Sequence, residues 1–297
     1  TGSAHAKTQR YDRKGRGFGA DLEIAIFAAV ADKNRVNNAL NAARDVIRRA
    51  EGLFSLFDPR SSLSILNDTG TLRMPPEFMR LIAKVDTLHG VTDGLFDPTV
   101  QARFRALQNL SKNASTETLD AVLVQTEQLL GWGKVNINGS IITLPHPDMA
   151  LTLNGVAQGF VTDRVSETLQ RSGFKASLVN IGEFRASGGR DFTLGLPITA
   201  ERMETLRIKN ASIATSASDG FKPLPGQSHI LHPQNDNLPG WAQVTVEADD
   251  ATTADAISTA LILTKETDLA RHLVDNGVIR SAYFVRNDRS LVRIKPS

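Results

Sequence analysis

Polar and apolar residues alternate along residues 21–30, the period-two pattern of a strand, and from residue 34 the period lengthens. Val36, Leu40, Ala43, Ile47 and Ala50 then recur three or four apart, which predicts an amphipathic helix over 34–52 with Gly52 as its stop. Further helices are predicted over 77–90, opened by Pro75, and over 116–130, 163–173, 253–264 and 268–276. Strands are predicted over 177–181, 192–196 and 243–246. Residues 134–144 and 281–294 read as hairpins, the first turning at Asn138-Gly139. The longest loop-like stretch is 218–239. Helices and strands are intermixed without repeats, low-complexity stretches or a long linker, which implies one continuous two-lobed domain of mixed α and β structure.

Composition narrows the chemistry. With 297 residues, 41% hydrophobic and 22% charged, the chain has the makeup of a globular protein and excludes disorder, collagen and a disulfide-stapled miniprotein. No apolar run approaches the roughly 20 residues that span a bilayer. The absence of cysteine removes disulfides, thiolate metal sites, iron–sulfur clusters and a cysteine nucleophile, so any metal must take oxygen or imidazole ligands. The net charge is +2, but the first twenty residues alone carry +4, which leaves −2 for residues 21–297. The basic character therefore belongs to the N-terminal tail and gives no nucleic-acid face. Thr1-Gly2-Ser3 has the form of a cloning scar and Ala4-His5-Ala6 that of a signal-peptidase remnant, so export is an open expectation.

Five segments offer candidate chemistry. Asp255 and Thr259 are four apart on a predicted helix, which puts a carboxylate and a hydroxyl on one face, a donor pair suited to Mg²⁺; Thr252-x-x-Asp255 also reads as a capping box. The stretch Asn154-Gly-Val-Ala-Gln-Gly159 lies between a strand-like run and a helix, where backbone amides meet a phosphate, or where the chain simply turns. Phe57 and Phe96 each precede Asp-Pro, which either aims a ring into a cleft or closes a turn beside the core. His229, in a segment bounded by Gly226 and Pro233, is a candidate proton acceptor or a structural histidine. No G-x-S-x-G elbow and no H-E-x-x-H helix is present, so serine-hydrolase and zincin readings have no support.

Several stretches, in order, resemble the ApbE family of FAD:protein FMN transferases. They are Phe54-Ser-Leu-Phe-Asp-Pro-Arg-Ser-Ser-Leu-Ser-Ile-Leu-Asn67, Asp93-Gly-Leu-Phe-Asp-Pro-Thr-Val100 and Leu151-Thr-Leu-Asn-Gly-Val-Ala-Gln-Gly-Phe-Val-Thr-Asp163. Leu178-Val-Asn-Ile-Gly182, Ile213-Ala-Thr-Ser216, His229-Ile-Leu-His-Pro233 and Ala254-Asp-Ala-Ile-Ser-Thr-Ala260 follow. The resemblance runs from about Phe18 to the C-terminus. It implies an α+β fold with mixed, mainly antiparallel sheets and packed helices over 18–297, preceded by a flexible basic tail over 1–17.

The resemblance also implies Mg²⁺-dependent transfer of FMN from FAD to a Thr or Ser hydroxyl of a partner flavoprotein, with release of AMP. By position, Gly155, Asp255 and Thr259 would hold the metal with Ser258 close by. Phe18, Phe57, Leu95, Phe96, Asp97, Thr152, Gln158 and Ile230 would bind FAD, and His229 with Asp255 would serve the proton transfer. The implied partner is a subunit of an electron-transfer complex, in a bacterial periplasm and near a membrane through that partner. Gln158 stands where the family commonly has Lys, Thr152 and His232 where it has Asp, Phe160 where it has Tyr and Ala217 where it has Gly. Two other readings keep these residues, an FAD pyrophosphatase with water as acceptor and a carrier that only holds FAD.

Overall fold

The computed structural model describes residues 8–110, 114–199, 202–219, 228–235 and 238–296. Strands β1 (Thr8–Gly17) and β2 (Ala20–Ala29) form a long antiparallel hairpin. Residues 8–17, expected within a flexible tail, are thus a strand. An edge strand exposed on most of its surface shows no apolar alternation, and its basic side chains look like a tail until their partners are seen. Arg10 pairs with Asp12 and Glu23, and the Tyr11 hydroxyl donates to the carbonyls of Ala29 and Val30.

Helix α1 (Lys33–Phe54) buries Val36, Leu40, Ala43, Ile47 and Ala50 as their spacing predicts, with Phe54 one turn further on. It runs through Gly52 instead of stopping there, because nothing in the helix requires a left-handed residue before Ser55 turns extended. Helix α2 (Ser62–Thr69) is capped by Ser61, whose hydroxyl accepts from the Ser64 amide, and ends on Gly70 in the left-handed region. Strand β3 (Thr71–Arg73) leads to α3 (Pro76–Val91), α4 (Gln101–Gln108) and α5 (Thr116–Glu127). Strands β4 (Asn136–Asn138) and β5 (Ile141–Thr143) are the first expected hairpin, and β3 joins them on the far edge of β5.

The remaining chain runs α6 (Ala157–Arg171), β6 (Ser177–Ile181), β7 (Phe184–Ser187), β8 (Phe192–Pro197), β9 (Met203–Ile208), β10 (Ala211–Ala217), β11 (Gln243–Ala248), α7 (Ala251–Leu261), α8 (Asp268–Asp275), β12 (Ser281–Val285) and β13 (Leu291–Ile294). Among the described residues one antiparallel sheet has the order β1-β2-β6-β7-β10-β11-β12-β13. A continuous core, with Val179, Ala214, Val246 and Phe284 from the sheet, joins it to α1, α3, α6, α7 and α8. A second cluster built on Leu196, Leu206, Ile208 and Tyr283 joins the β8–β9 hairpin to the sheet. This is the α+β architecture with mainly antiparallel sheets that the sequence led us to expect. Residues 220–227 and 236–237 of the expected 218–239 loop lie outside the described residues. No described helix is long and apolar enough to cross a membrane.

Helices α6 and α7 approach each other at Gly159. A Cβ built there would stand 2.2 Å from the Ala251 carbonyl oxygen and 2.8 Å from Asp255 Cβ, a contact only glycine avoids. The two helices are further tied by Asp163, whose carboxylate accepts from the amides of Ala251 and Thr252, both at 2.9 Å, and from the Thr252 hydroxyl at 2.5 Å. Arg185 pairs with the same carboxylate. Overpacking a helix crossing typically costs about 1–3 kcal/mol, so Gly159→Ala lowers stability by at least that much in urea unfolding. Gly52→Ala, where a Cβ meets nothing within 4 Å, gains about 0.5–1 kcal/mol.

Candidate functional site

Helix α7 begins with Asp250 as its cap, the carboxylate accepting from the Thr253 amide at 2.8 Å. The expected Thr252–Asp255 capping box is therefore absent, and the Asp255 side chain is released for another use. It is 4% exposed and accepts from the Gly159 amide at 2.9 Å, reaching across the helix crossing. Its pKa is pushed up to about 7, because burial penalises the charged carboxylate more than the Gly159 N–H supports it, and the Asp163 charge adds to the rise.

A cavity of about 250 Å³ opens over this point. One wall is apolar, from Leu95, Phe96, Val100, Phe104, Ile230, Leu231 and Leu263. The other is polar, from Thr152, Asn154, Gln158, Glu183, Thr215, Ser216, Asp255 and Thr259. Glu183 is a second buried carboxylate; it accepts from the Thr215 amide at 3.2 Å, and burial together with the Asp255 charge holds its pKa well above the usual carboxylate range. Two acids that resist ionisation, side by side on the floor of a cavity, form a site that favours a positive ion.

Gly155 and Thr259 meet at the same floor. A Cβ on Gly155 would lie 2.9 Å from the Thr259 hydroxyl oxygen, so the backbone of residue 155 comes directly against that side chain. Ser216 lies 3.4 Å from the Thr259 hydroxyl and 2.8 Å from that of Ser258. Ser258 sits behind the wall; its hydroxyl donates to the Asp255 carbonyl and does not line the cavity. The Asp255 carboxylate and the Thr259 hydroxyl, with Glu183 lining the same cavity, are hard oxygen donors of the kind that Mg²⁺ takes. Among the described residues no group of three or more His, Asp or Glu that could hold a metal ion is gathered.

The Leu95-Phe96-Asp97 segment is held rigidly. Asp93 and Gly94 turn in the left-handed region, and the Thr92 hydroxyl accepts from the Phe96 amide. The Asp97 carboxylate accepts from the Thr99 amide and hydroxyl and from the Trp132 amide, at 2.6–2.9 Å, so its oxygens shape the wall from within. Thr152 is linked to the segment through its amide, which donates to the Pro98 carbonyl. Gln158 lines the cavity and donates to the Phe18 carbonyl at 3.3 Å. Phe18 itself is half-buried at the β1–β2 turn, outside the lining, with its amide on Glu51. Phe57 stands apart from the cavity lining and is 91% exposed in the loop after α1.

The structure thus brings together Leu95, Phe96, Asp97, Thr152, Gly155, Gln158, His229, Ile230, Asp255 and Thr259, and leaves Phe18, Phe57 and Ser258 outside the lining. Glu183, Thr215 and Ser216 were not singled out. Glu183 immediately follows the Leu178–Gly182 stretch, and the other two lie in Ile213–Ser216, so position relative to those stretches was the available signal.

Comparison with known proteins gives the family and the fold. The ApbE family model matches residues 18–280. An FAD:protein FMN transferase of Chlamydia muridarum is 28% identical over 227 residues, 70% of each chain. One of Haemophilus influenzae is 24% identical over 276 residues, 83% of this chain and 78% of that one. The flavin transferase ApbE from Vibrio cholerae superposes with a TM-score of 0.80 at 20% identity, covering 98% of both chains. The ApbE protein of Thermotoga maritima gives 0.81 at 22% identity, over 96% and 97%. These two share the fold.

The raised carboxyl pKa makes a signed prediction for the metal-free protein. Folded Asp255 binds its proton more tightly than the unfolded side chain does, so its contribution is fully present below the unfolded value and is lost as pH rises through about 7. Melting temperature in chelator therefore falls between about pH 4 and about pH 7, and Asp255→Asn flattens that slope; equal slopes for both proteins contradict the assignment.

Proposed function

The chain belongs to the ApbE family, and on that premise we propose that it transfers the FMN moiety of FAD to a Thr or Ser hydroxyl of a partner flavoprotein and releases AMP. The observation that carries this reading is one cavity, inside the matched region, that joins an apolar wall to a floor of two buried carboxylates with His229 on the rim segment. An apolar wall suits a flat aromatic ring, and the floor suits a pyrophosphate only if charge is balanced. Among the described residues no Lys or Arg lines the cavity. A dianionic pyrophosphate beside Asp255 and Glu183 thus needs a cation from solution, which favours Mg²⁺ dependence.

The residues present fit that ion. Asp255, the Thr259 hydroxyl and the Gly155 carbonyl would hold it, with Glu183 beside them. When bound, Mg²⁺ supplies positive charge that stabilises the phosphoryl group under attack and the departing AMP. The Leu95–Phe96 wall and Ile230 would orient the ring system, and Gln158 and Thr152 would offer an amide and a hydroxyl to the polar part of the dinucleotide. The acceptor hydroxyl oxygen bonds to the FMN phosphorus while the bond from that phosphorus to the bridging oxygen breaks, and AMP leaves with the electron pair. His229 takes the hydroxyl proton on a ring nitrogen, a role that such a residue typically fills with a gain of about 10²–10⁴ in rate.

The direct test is the intact mass of an acceptor domain incubated with this protein, FAD and Mg²⁺, with and without chelator. An FMN-sized gain that chelator prevents supports the proposal. AMP release without gain points to the pyrophosphatase, and intact bound FAD without gain to the carrier; either overturns it. Asp255→Asn is expected to lose transfer and the Mg²⁺ enhancement of FAD binding together. His229→Ala loses about 10²–10⁴ in transfer rate with FAD affinity kept. Gln158→Lys, which restores a cation at the cavity, is expected to tighten FAD binding in chelator more than in Mg²⁺; identical changes in both conditions contradict the charge argument.

A further inference from the structure

We propose that Arg103, outside the cavity, is a positioning residue that sets His229 and its neighbours against the site. Residues 228–235 contribute His229, Ile230 and Leu231 to the cavity wall yet contain neither helix nor strand, so side chains must place them. Arg103, on α4, is 4% exposed, and a guanidinium so buried is costly unless its donors are used. Nη1 donates to the carbonyls of His232 at 3.3 Å and Asn235 at 3.4 Å. Nη2 donates to the Leu123 carbonyl at 3.3 Å and Nε to the Thr126 hydroxyl at 3.2 Å, both on α5. One planar fork therefore joins α4, α5 and the histidine segment.

Its two acceptors on that segment lie three and six residues after His229, so the fork fixes the backbone that leads out of the active histidine. Packing works in the same direction, because Leu231 rests on the small cluster of Leu107 and Leu123 between α4 and α5. Gln234 adds a single bond, to the Asp93 carbonyl at 2.9 Å. A lysine has one nitrogen where Arg103 uses three, and it cannot span carbonyls on both sides. Arg103 also lowers the pKa of His232, second to burial, so the ring at that position is held neutral beside the guanidinium. His232 stands at the place at which the resemblance leads one to expect an Asp.

The inference rests on the reading of His229 as proton acceptor, and two readouts keep the failures separate. The full chain is compared with Arg103→Gln, Arg103→Lys and Thr126→Val, the last removing one bond on the α5 side without touching residues 228–235. Reactivity of each histidine toward diethyl pyrocarbonate is mapped by mass spectrometry in FAD-free protein, and FAD affinity and transfer rate are measured separately. A displacement of about 1 Å in a catalytic group costs about 100-fold in rate, so Arg103→Gln is expected to lose on that order in transfer with FAD affinity within about threefold. His229 reactivity changes in the same variant while His5, His89, His146 and His272 react as before; Arg103→Lys falls between, and Thr126→Val resembles the parent. Unchanged His229 reactivity in Arg103→Gln overturns the inference. So does a general rise across all histidines, which would make Arg103 a residue of stability alone. If the parent transfers no FMN, the proposed function fails, and the His229 reactivity comparison still decides the placement.

Discussion

The close passage of α6 over α7 at Gly159 is the contact from which the site is built. Because residue 159 has no side chain, its amide reaches Asp255 at 2.9 Å and the two helix backbones come within a distance no other residue permits. That passage brings Gly155, just before α6, against Thr259 on α7, so the floor of the cavity is assembled from two helices that are far apart in sequence. Asp163, one turn further along α6, accepts from the first amides of α7 and fixes its direction. A helix start whose amides are answered by a carboxylate is stabilised both by hydrogen bonding and by the helix dipole.

The cavity carries an energetic conflict that the rest of the fold sustains. Burial raises the pKa of both Asp255 and Glu183; the Asp255 charge adds to the rise at Glu183 and the Asp163 charge to that at Asp255. The surrounding structure is correspondingly rigid: the helices beneath bury Ala254, Ala256, Ile257, Ala260 and Leu261 fully, and β10 and β11 pack directly against them. Small residues on α7 allow that close packing. The conflict is thus local to the cavity, while the core and the β8–β9 hairpin on separate apolar clusters hold the frame.

Much of this was legible in the chain. Long periodic segments such as α1 and the strand at 20–29 follow from spacing alone, since one face must be buried over many residues. The turn at Asn138-Gly139 follows from the left-handed backbone that Gly139 adopts, with φ of 57°. What escaped reading has physical reasons. Strand β1 is exposed and basic, so no apolar alternation marks it. Strand β10, Ala-Ser-Ile-Ala-Thr-Ser-Ala, is buried through small residues that carry little hydrophobic signal. Asp255 looked like a partner in a capping box because spacing cannot distinguish a cap from a carboxylate turned away, and Asp250 takes that place instead. Glu183 gives no spacing signal at all, because only the pairing of β7 beside β10 and the crossing of α7 bring it to Asp255. Phe57 shows the converse: an aromatic before Asp-Pro carries no information about which way the chain turns, and this ring faces solvent.

The pattern of departures at the site is best understood through charge. With Gln158 at a position where the family commonly carries Lys, and with no Lys or Arg among the described lining residues, the cavity presents two carboxylates and neutral dipoles to an anionic dinucleotide. Burial already disfavours the ionised form of both acids, and an anionic ligand beside them adds to that penalty. On the proposed reading, the positive charge enters with the substrate, as a divalent ion that Asp255 and Thr259 would hold between the buried acids and the pyrophosphate. Arg103, whose donors reach carbonyl oxygens and a hydroxyl outside the cavity, adds no charge to the lining. On that reading the binding of dinucleotide and of metal are coupled by electrostatics, each relieving repulsion that the other alone would meet.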